Sequence, residues 1–464
     1  MYRRSGMGLR AGRRLQPCVS RSGESMLSIF KGWFRQAANP IGVDFGSDCL
    51  RMAQVAPVGN EWRLIAAASA DVPSHVRHDP GARVQFFIDT ARELLAAGRF
   101  SGRSALIALP ASSMFIQHLR LAKMDDEETR KAIPWEARGK IPIDPSHTLL
   151  RHHVAGEVYH DQEQKNEVIV MAAARELINQ LLAMAARARL DVAGICVEPK
   201  VIVDCFTHIY RRRTDAEVTS CFVDLGCSGT RVVIARGGHM LFARSIPVGG
   251  DHFTRAVASA LGISYQDAKL LRLRLAEARP APTAVREKQE VPVEAHVAEG
   301  FAILNAAVAA AQRQTAESGR AAAPARAAHA PQTPAPDPAD INALGERVEA
   351  ACRDVLNKLV EELDMCRRYH EATFPNRPVD RLIFVGGEAR QRWLCQRIAE
   401  ELNLTAQVGD PLVRMGRLSD VGIESGIDRR QPQPQWTVAI GLSLGEPRAA
   451  AAHGGAESVR EDNP

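Results

Sequence analysis

The sequence has no run approaching the roughly 18 apolar residues that span a bilayer, and its start lacks the apolar core of a signal peptide. Cysteine pairing is missing as well: nine cysteines stand singly, with no Cys-x-x-Cys pair and no zinc spacing. An odd number of isolated thiols fits a reducing compartment, and with the missing spans it predicts a cytoplasmic protein. Strong charge is also lacking. The net +5 is small for 464 residues, and six arginines (Arg3, Arg4, Arg10, Arg13, Arg14, Arg21) fall in residues 1–25 against the single acid Glu24. That leaves no basic surface for nucleic acid on the folded body.

What remains is ordinary: 45% hydrophobic and 24% charged residues match a soluble globular chain long enough for two or three domains. Residues 1–25 read as a disordered or mis-called extension, with Met26 as the expected start. The stretch MLSIFKGWF then reads as a hydrophobic lead-in packing on the first strand, with a weak interfacial anchor as the alternative. The Ala- and Pro-rich segment 318–340 reads as a disordered linker, and 447–464 as a disordered tail.

Along the chain, 41–45 (IGVDF) and 50–55 (LRMAQV) read as strands joined by a tight turn, with a third strand over 62–68. Helical periodicity follows over 82–98, then the strand 104–109. From Ala111 to Gln164 the texture changes, with strand-like MFIQHLRL and a charged helix over 125–139 that Asp125 and Asp126 start. Strands are expected near 148–154 and 166–172, and a helix over 175–189. The opening pattern then returns: CFVDLG at 221–226 and RVVIA at 231–235 are again strand, glycine turn, strand. Helices are expected at 251–261 and 264–276, and a long amphipathic one from Ile341. The short strand Leu382–Val385 runs into Gly386-Gly387.

Two Asp-x-Gly turns, Asp44-Phe45-Gly46 and Asp224-Leu225-Gly226, thus lie in the two halves of the chain. In such hairpins successive N–H groups converge into an anion nest, and glycine admits a phosphate close to the backbone. With Gly46 goes Ser47. The aspartates would repel a polyphosphate unless they hold Mg²⁺ through water. Arg51 follows the first turn as a fixed cation, and Thr230 begins the strand after the second and offers a hydroxyl. Gly386-Gly387 lets an adenine ring and ribose lie against the backbone. Each piece alone is an ordinary turn signal; their order is what points to ATP with Mg²⁺. No residue stands out to activate water. Glu136 and Gln117 are the candidates, so binding is expected with slow hydrolysis. The histidines His147, His152, His153 and His160 show no ligand spacing and read as solvated or strand-surface residues. Cys221 and Cys227 read as small buried residues.

That order of hairpin, hairpin and glycine pair resembles the actin and sugar-kinase superfamily. A closer resemblance, over most of residues 26–446, is to the type IV pilus assembly protein PilM family. It is carried by IGVDFGSDCLRMAQV, by ALPASSMFIQHLRL with KAIPWEARGKIPID, by FVDLGCSGTRVVIARGGHMLFARSIPVGGDHF, and by LIFVGGEARQRWL with WTVAIGLSL. It implies an α/β actin-like fold of two ribonuclease-H-like lobes, 26–216 and 217–446. A small subdomain at 111–164 is inserted in the first lobe, and a last helix near 434–445 returns to that lobe. It further implies a scaffold, peripheral at the inner membrane, docking the N-terminal cytoplasmic peptide of a PilN-like membrane protein. Membrane association is then indirect, and self-association is left open. Met114, Phe115 and Ile116 are the expected peptide edge. One departure is Glu388 after the glycine pair, where the family prefers a small residue and a carboxylate would crowd the nucleotide. The alternatives are an FtsA-like division tether, disfavoured by the polar tail, and a small-molecule kinase, disfavoured by the missing catalytic Asp. A secretion-platform protein is disfavoured by the missing span.

Overall fold

The computed structural model describes residues 38–97, 100–110, 113–142, 144–160, 163–278, 338–417 and 427–445. The expectations for 1–25, for MLSIFKGWF, for the tail, and for nearly all of the 318–340 linker lie outside these residues.

A six-stranded sheet is ordered β14-β3-β2-β1-β4-β8, with β1 Ile41–Phe45, β2 Cys49–Val58, β3 Glu61–Asp71, β4 Ser104–Leu109, β8 Asp191–Val197 and β14 Gly416–Arg417. Strands β1 to β3 form an antiparallel meander, while β4 pairs parallel to β1 and β8 parallel to β4. A second, five-stranded sheet repeats the plan as β11-β10-β9-β12-β13, with β9 Thr219–Leu225, β10 Thr230–Arg236, β11 His239–Ile246, β12 Arg381–Val385 and β13 Thr405–Val408. The first strand of each half is buried on both faces (Ile41 to Phe45 and Thr219 to Leu225), as expected where helices cover a central strand.

Helices α1 Pro80–Ala97 and α3 Arg175–Arg187 pack beside the first sheet, and α4 Glu198–Thr207 follows β8 between the sheets. The second sheet carries α5 Gly250–Leu261, α6 Tyr265–Ala278, α7 Pro338–Thr373 and α8 Arg392–Leu402. Helix α7 starts three residues inside the segment read as linker, with proline in its first turn, where the missing N–H costs nothing. The last helix, α9 Thr437–Leu444, crosses β1, and the crossing is close: a Cβ on Gly42 would overlap the Ala439 carbonyl oxygen. Ser443 fixes the register, its hydroxyl accepting from Val55 N (3.0 Å) and donating to Pro40 O (2.8 Å).

After β4 comes a three-stranded antiparallel sheet ordered β5-β7-β6, with β5 Met114–Ala122, β6 Thr148–His160 and β7 Glu163–Ala174. Helix α2 Asp126–Glu136 begins at a capping box between Asp125 and Glu128 and closes a small core of Leu119, Leu121, Ile133, Val168 and Val170. The central strand β7 lies mostly beyond residue 164. This sheet also meets the second lobe: His153 Nε2 donates to Met240 O (2.9 Å), His239 Nε2 to Ala155 O (2.9 Å) and His118 Nε2 to Ala243 O (3.1 Å). His153 is therefore a contact between parts of the fold, and His152 is held by Asp126 at 2.9 Å, so neither is a merely solvated side chain.

Candidate functional site

One cleft gathers most of the residues singled out from sequence. Its walls include Asp44, Gly46, Ser47 and Arg51 from the first half, Asp224 and Gly226 from the second, and Gly386 and Gly387. The pairing of strands explains the convergence. Each Asp is the next-to-last residue of a central strand, and the following turn folds β2 or β10 back beside it. Parallel pairing of β12 with β9 sets Val385 opposite Asp224, which delivers Gly386 to the second turn.

The same registers place a cation opposite each carboxylate. Asp44 pairs with Arg51 across β1 and β2, and Asp224 pairs with Arg231 across β9 and β10. Side chains of directly opposed residues share a face, so the two hairpins present matching Asp–Arg pairs. Arg51 Nη1 stands 4.0 Å from Asp44 Oδ2, and Arg231 Nε stands 3.5 Å from Asp224 Oδ2. Arg231 also grips Glu198, at the start of α4, through Nε (2.6 Å) and Nη2 (3.0 Å). Burial pulls the Arg231 guanidinium toward losing its proton, but Asp224 and Glu198 together hold its pKa above the ordinary value.

Thr230 is the exception among the phosphate-turn residues. Its hydroxyl donates to Val248 O at 2.7 Å and it is 1% exposed, outside the cleft lining. Adjacent strand residues face opposite sides, so Arg231 takes the position toward the cleft. Arg231 and Glu198 went unread in the sequence. The signal for Arg231 is spacing: both arginines stand seven residues after their aspartates. Glu136 and Gln117, the candidates for water activation, lie in the small subdomain and do not line the cleft. Met114 is also displaced from its expected role: it is 6% exposed and belongs to the core, while Phe115 is 41% exposed and Ile116 half-buried.

The glycines are held by contact. Gly386 has φ +87°, and a Cβ there would strike Asp224 Oδ1 and Leu225 O. Gly387 faces open space, with Arg51 Nη2 at 4.0 Å as the nearest atom a Cβ would meet. Glu388, the residue expected to crowd the nucleotide, does line the cleft, where it is paired with Arg272, whose Nη2 donates to Oε2 at 2.5 Å.

Burial pushes the Asp44 carboxyl up to about 7 against the pull of Arg51. It pushes Asp224 upward as well, against Arg231. Asp224 Oδ2 is buried and accepts no hydrogen bond. Two desolvated carboxylates, each facing one arginine, suit a hydrated dication, which would add to the countercharge of Arg51 and Arg231.

The family model described as type IV pilus assembly protein PilM matches residues 42–276, half of the sequence. The chain belongs to the PilM family. The FtsA cell-division family model matches residues 221–441, the repeat-bearing second lobe. Among curated proteins, cell division protein FtsA of Bacillus subtilis (strain 168) is 21% identical over 112 residues, so the chain spans about a quarter (24%) of that relative's length. Among solved structures, a PilM-PilN type IV pilus biogenesis complex is similar at TM-score 0.62 and 19% identity, covering 88% of this chain and 98% of that one. The ethanolamine utilization protein EutJ from Carboxydothermus hydrogenoformans aligns at TM-score 0.44 and 12% identity, over 88% of this chain and 89% of that one. The PilM family member described here has the actin-like α/β fold, two repeated sheets with helices. No helix among the described residues is long and apolar enough to cross a membrane.

Proposed function

We propose that this PilM-family chain is a nucleotide-binding scaffold of a type IV pilus assembly platform, at the cytoplasmic face of the inner membrane. The observation that carries the nucleotide part is the meeting of both Asp-x-Gly turns and the glycine pair in one cleft. In this reading the N–H groups of Gly46 and Ser47 face the phosphates and Arg51 supplies fixed charge; the Gly226 N–H closes its own turn on Gly229 O at 3.0 Å, so that glycine contributes room rather than a donor. Gly386 and Gly387 lie under the base and ribose. Asp44 and Asp224 hold Mg²⁺ through its waters, and the ion when bound neutralises the phosphate chain. Glu198 lies close enough to raise the pKa of both Asp44 and Asp224, and both its oxygens are engaged by Arg231. A base so occupied has little capacity to take a proton from water, which favours holding nucleotide over turning it over.

The partner part rests on β5. Among the described strands it pairs only with β7, so its other edge is open to a further strand, and Phe115 stands out from it. An extended peptide adding there would gain main-chain hydrogen bonds. The solved PilM-PilN complex with the similar fold supports a PilN-like partner, and the segment proposed for this edge is that membrane protein's N-terminal cytoplasmic peptide.

Two titrations on the full chain test both parts: a fluorescent ATP analogue with Mg²⁺, and a synthetic PilN-like N-terminal peptide. Asp44→Ala should abolish analogue binding and keep the peptide. Phe115→Glu should weaken the peptide at least about tenfold and keep the analogue. Folded variants that behave like the parent in both titrations would remove the assignment.

A further inference from the structure

The mouth of the cleft holds a cross-lobe cluster that the phosphate reading leaves unused. Asp48 belongs to the first turn, directly after Gly46-Ser47, and lines the cleft. Both its oxygens accept from Lys269 Nζ of α6, at 2.8 and 2.9 Å. Arg77, from the loop between β3 and α1, reaches the same carboxylate. Arg77 also donates to Asp251 Oδ1 (3.1 Å), Tyr265 Oη (2.8 Å) and Cys227 Sγ (3.3 Å). Cys227 is in the second turn, so the cluster ties the two anion-binding turns together.

We propose that Asp48 is a built-in competitor for the bound anion: its carboxylate engages Lys269, the second-lobe cation that a phosphate would otherwise take. This deepens the nucleotide reading above and rests on it. Asp48 carries a negative charge in a turn whose N–H groups would face phosphate, and like charges this close repel. It is held there by the cations that an anionic ligand would seek. Lys269 is the cation able to change partners. Its side chain is a third exposed, and its flexible stem carries a compact ammonium. Arg272, on the same helix, is 2% exposed and committed to Glu388, Gly250 O and Thr254 Oγ1. When Lys269 turns to a phosphate, Asp48 keeps Arg77, so the exchange leaves no buried charge without a partner. A phosphate chain lying between the turns then meets Arg51 from one lobe and Lys269 from the other.

The inference predicts a variant that binds more tightly than the parent. With a fluorescent ATP analogue and Mg²⁺ titrated into the full chain, Asp48→Asn should lower Kd by about tenfold. Lys269→Met should raise Kd by a similar factor. Within Lys269→Met, the gain from Asp48→Asn should shrink to a small part of its value, because the competitor no longer has anything to hold. Thermal melts establish folding, and Asp48→Ser serves as a second substitution if Asn does not fold. Weaker binding by folded Asp48→Asn and Asp48→Ser would overturn the proposal and make Asp48 a ligand-side group. An equal gain with and without Lys269 would overturn it in favour of through-space repulsion alone. A parent chain that binds no analogue would defeat the nucleotide reading and this inference together. A parent that binds, with Asp48 variants unchanged, would defeat only this inference.

Discussion

Asp44→Asn should flatten a pH dependence that runs opposite to the usual one for a carboxylate. Most native carboxylates gain partners and titrate low, so acid destabilises the fold. Asp44 is 8% exposed, and loss of water outweighs Arg51 at 4.0 Å, so burial pushes its carboxyl from 3.8 to about 7. Between those values the native state holds a proton that the unfolded chain has released, so stability falls as pH rises through that window. The contribution is fully present below the unfolded value and lost above about pH 7. Integrated from pH 5 to pH 8, a shift of about three units at 1.36 kcal/mol each leaves roughly 2 to 3 kcal/mol. Asparagine carries no proton to lose.

The assay is urea unfolding of parent and Asp44→Asn at pH 5 and pH 8 without nucleotide or Mg²⁺, read as the difference between the two proteins. The subtraction is needed because burial holds His153, His208 and His370 below the ordinary histidine value, and they weaken the fold as pH falls. The parent should lose roughly 2 to 3 kcal/mol more than the variant between pH 5 and pH 8. Parallel pH profiles would show that Asp44 is already ionised at pH 5, with Arg51 and Arg231 outweighing burial. A parent that gains on the variant with rising pH would reverse the sign of the reasoning.

Gly42→Ala should destabilise by about 3 kcal/mol, the upper end for overpacking, because the new Cβ meets the Ala439 carbonyl and neither backbone can yield; Gly81→Ala, with only Asp79 Oδ1 at 3.4 Å, is the control and should cost nothing in the same urea titration. Phosphate release from ATP should run well below the roughly 1–10³ s⁻¹ of ordinary enzymes, since Arg231 occupies both oxygens of Glu198. A coupled phosphate assay reading in that enzyme range would show that Glu198 is released on binding.

The local signals were the legible ones. Apolar runs bounded by glycine turns located β1, β2, β9, β10 and β12, and the repeat of Asp-x-Gly located both walls of the cleft before any pairing was known. Parity explains two of the misses. Alternate strand residues face opposite ways, so Met114, Phe115 and Ile116 could not all stand out from β5. The same rule turned Thr230 from the cleft and Arg231 into it. The repeat itself held that answer, since Asp44 to Arg51 and Asp224 to Arg231 have the same spacing and the same cross-strand pairing. Other misses depend on distant segments meeting. Glu198 reaches Arg231 only because the junction of β8 and α4 meets the second sheet, and Asp48 reaches Lys269 across 221 residues. No periodicity encodes such pairs. They arise from the way two similar lobes face each other.

The small subdomain adds a constraint that follows from where its chain enters and where its sheet docks. It leaves and re-enters the polypeptide within the first lobe, between β4 and α3, yet its sheet is fastened to β11 and α7 of the second. Three imidazole donors reach carbonyls across this boundary in both directions, and Tyr369 of α7 donates to Glu167 at 2.7 Å. Glu167 is wholly buried and also faces Arg120 at 3.3 Å and His118 at 2.9 Å. Parting the boundary would leave Glu167 its Arg120 and His118 partners but take its Tyr369 donor, and would take three carbonyls' imidazole donors, so the boundary resists small displacements. A change in the angle between the lobes must either carry the subdomain with the second lobe, bending its connections to the first, or part this set of bonds as a unit. In the first case the edge of β5 moves relative to the first lobe, and in the second it moves relative to the second lobe, so either way it shifts against one wall of the cleft. A peptide docked at that edge, as proposed, would therefore be coupled mechanically to the cleft through this set of bonds.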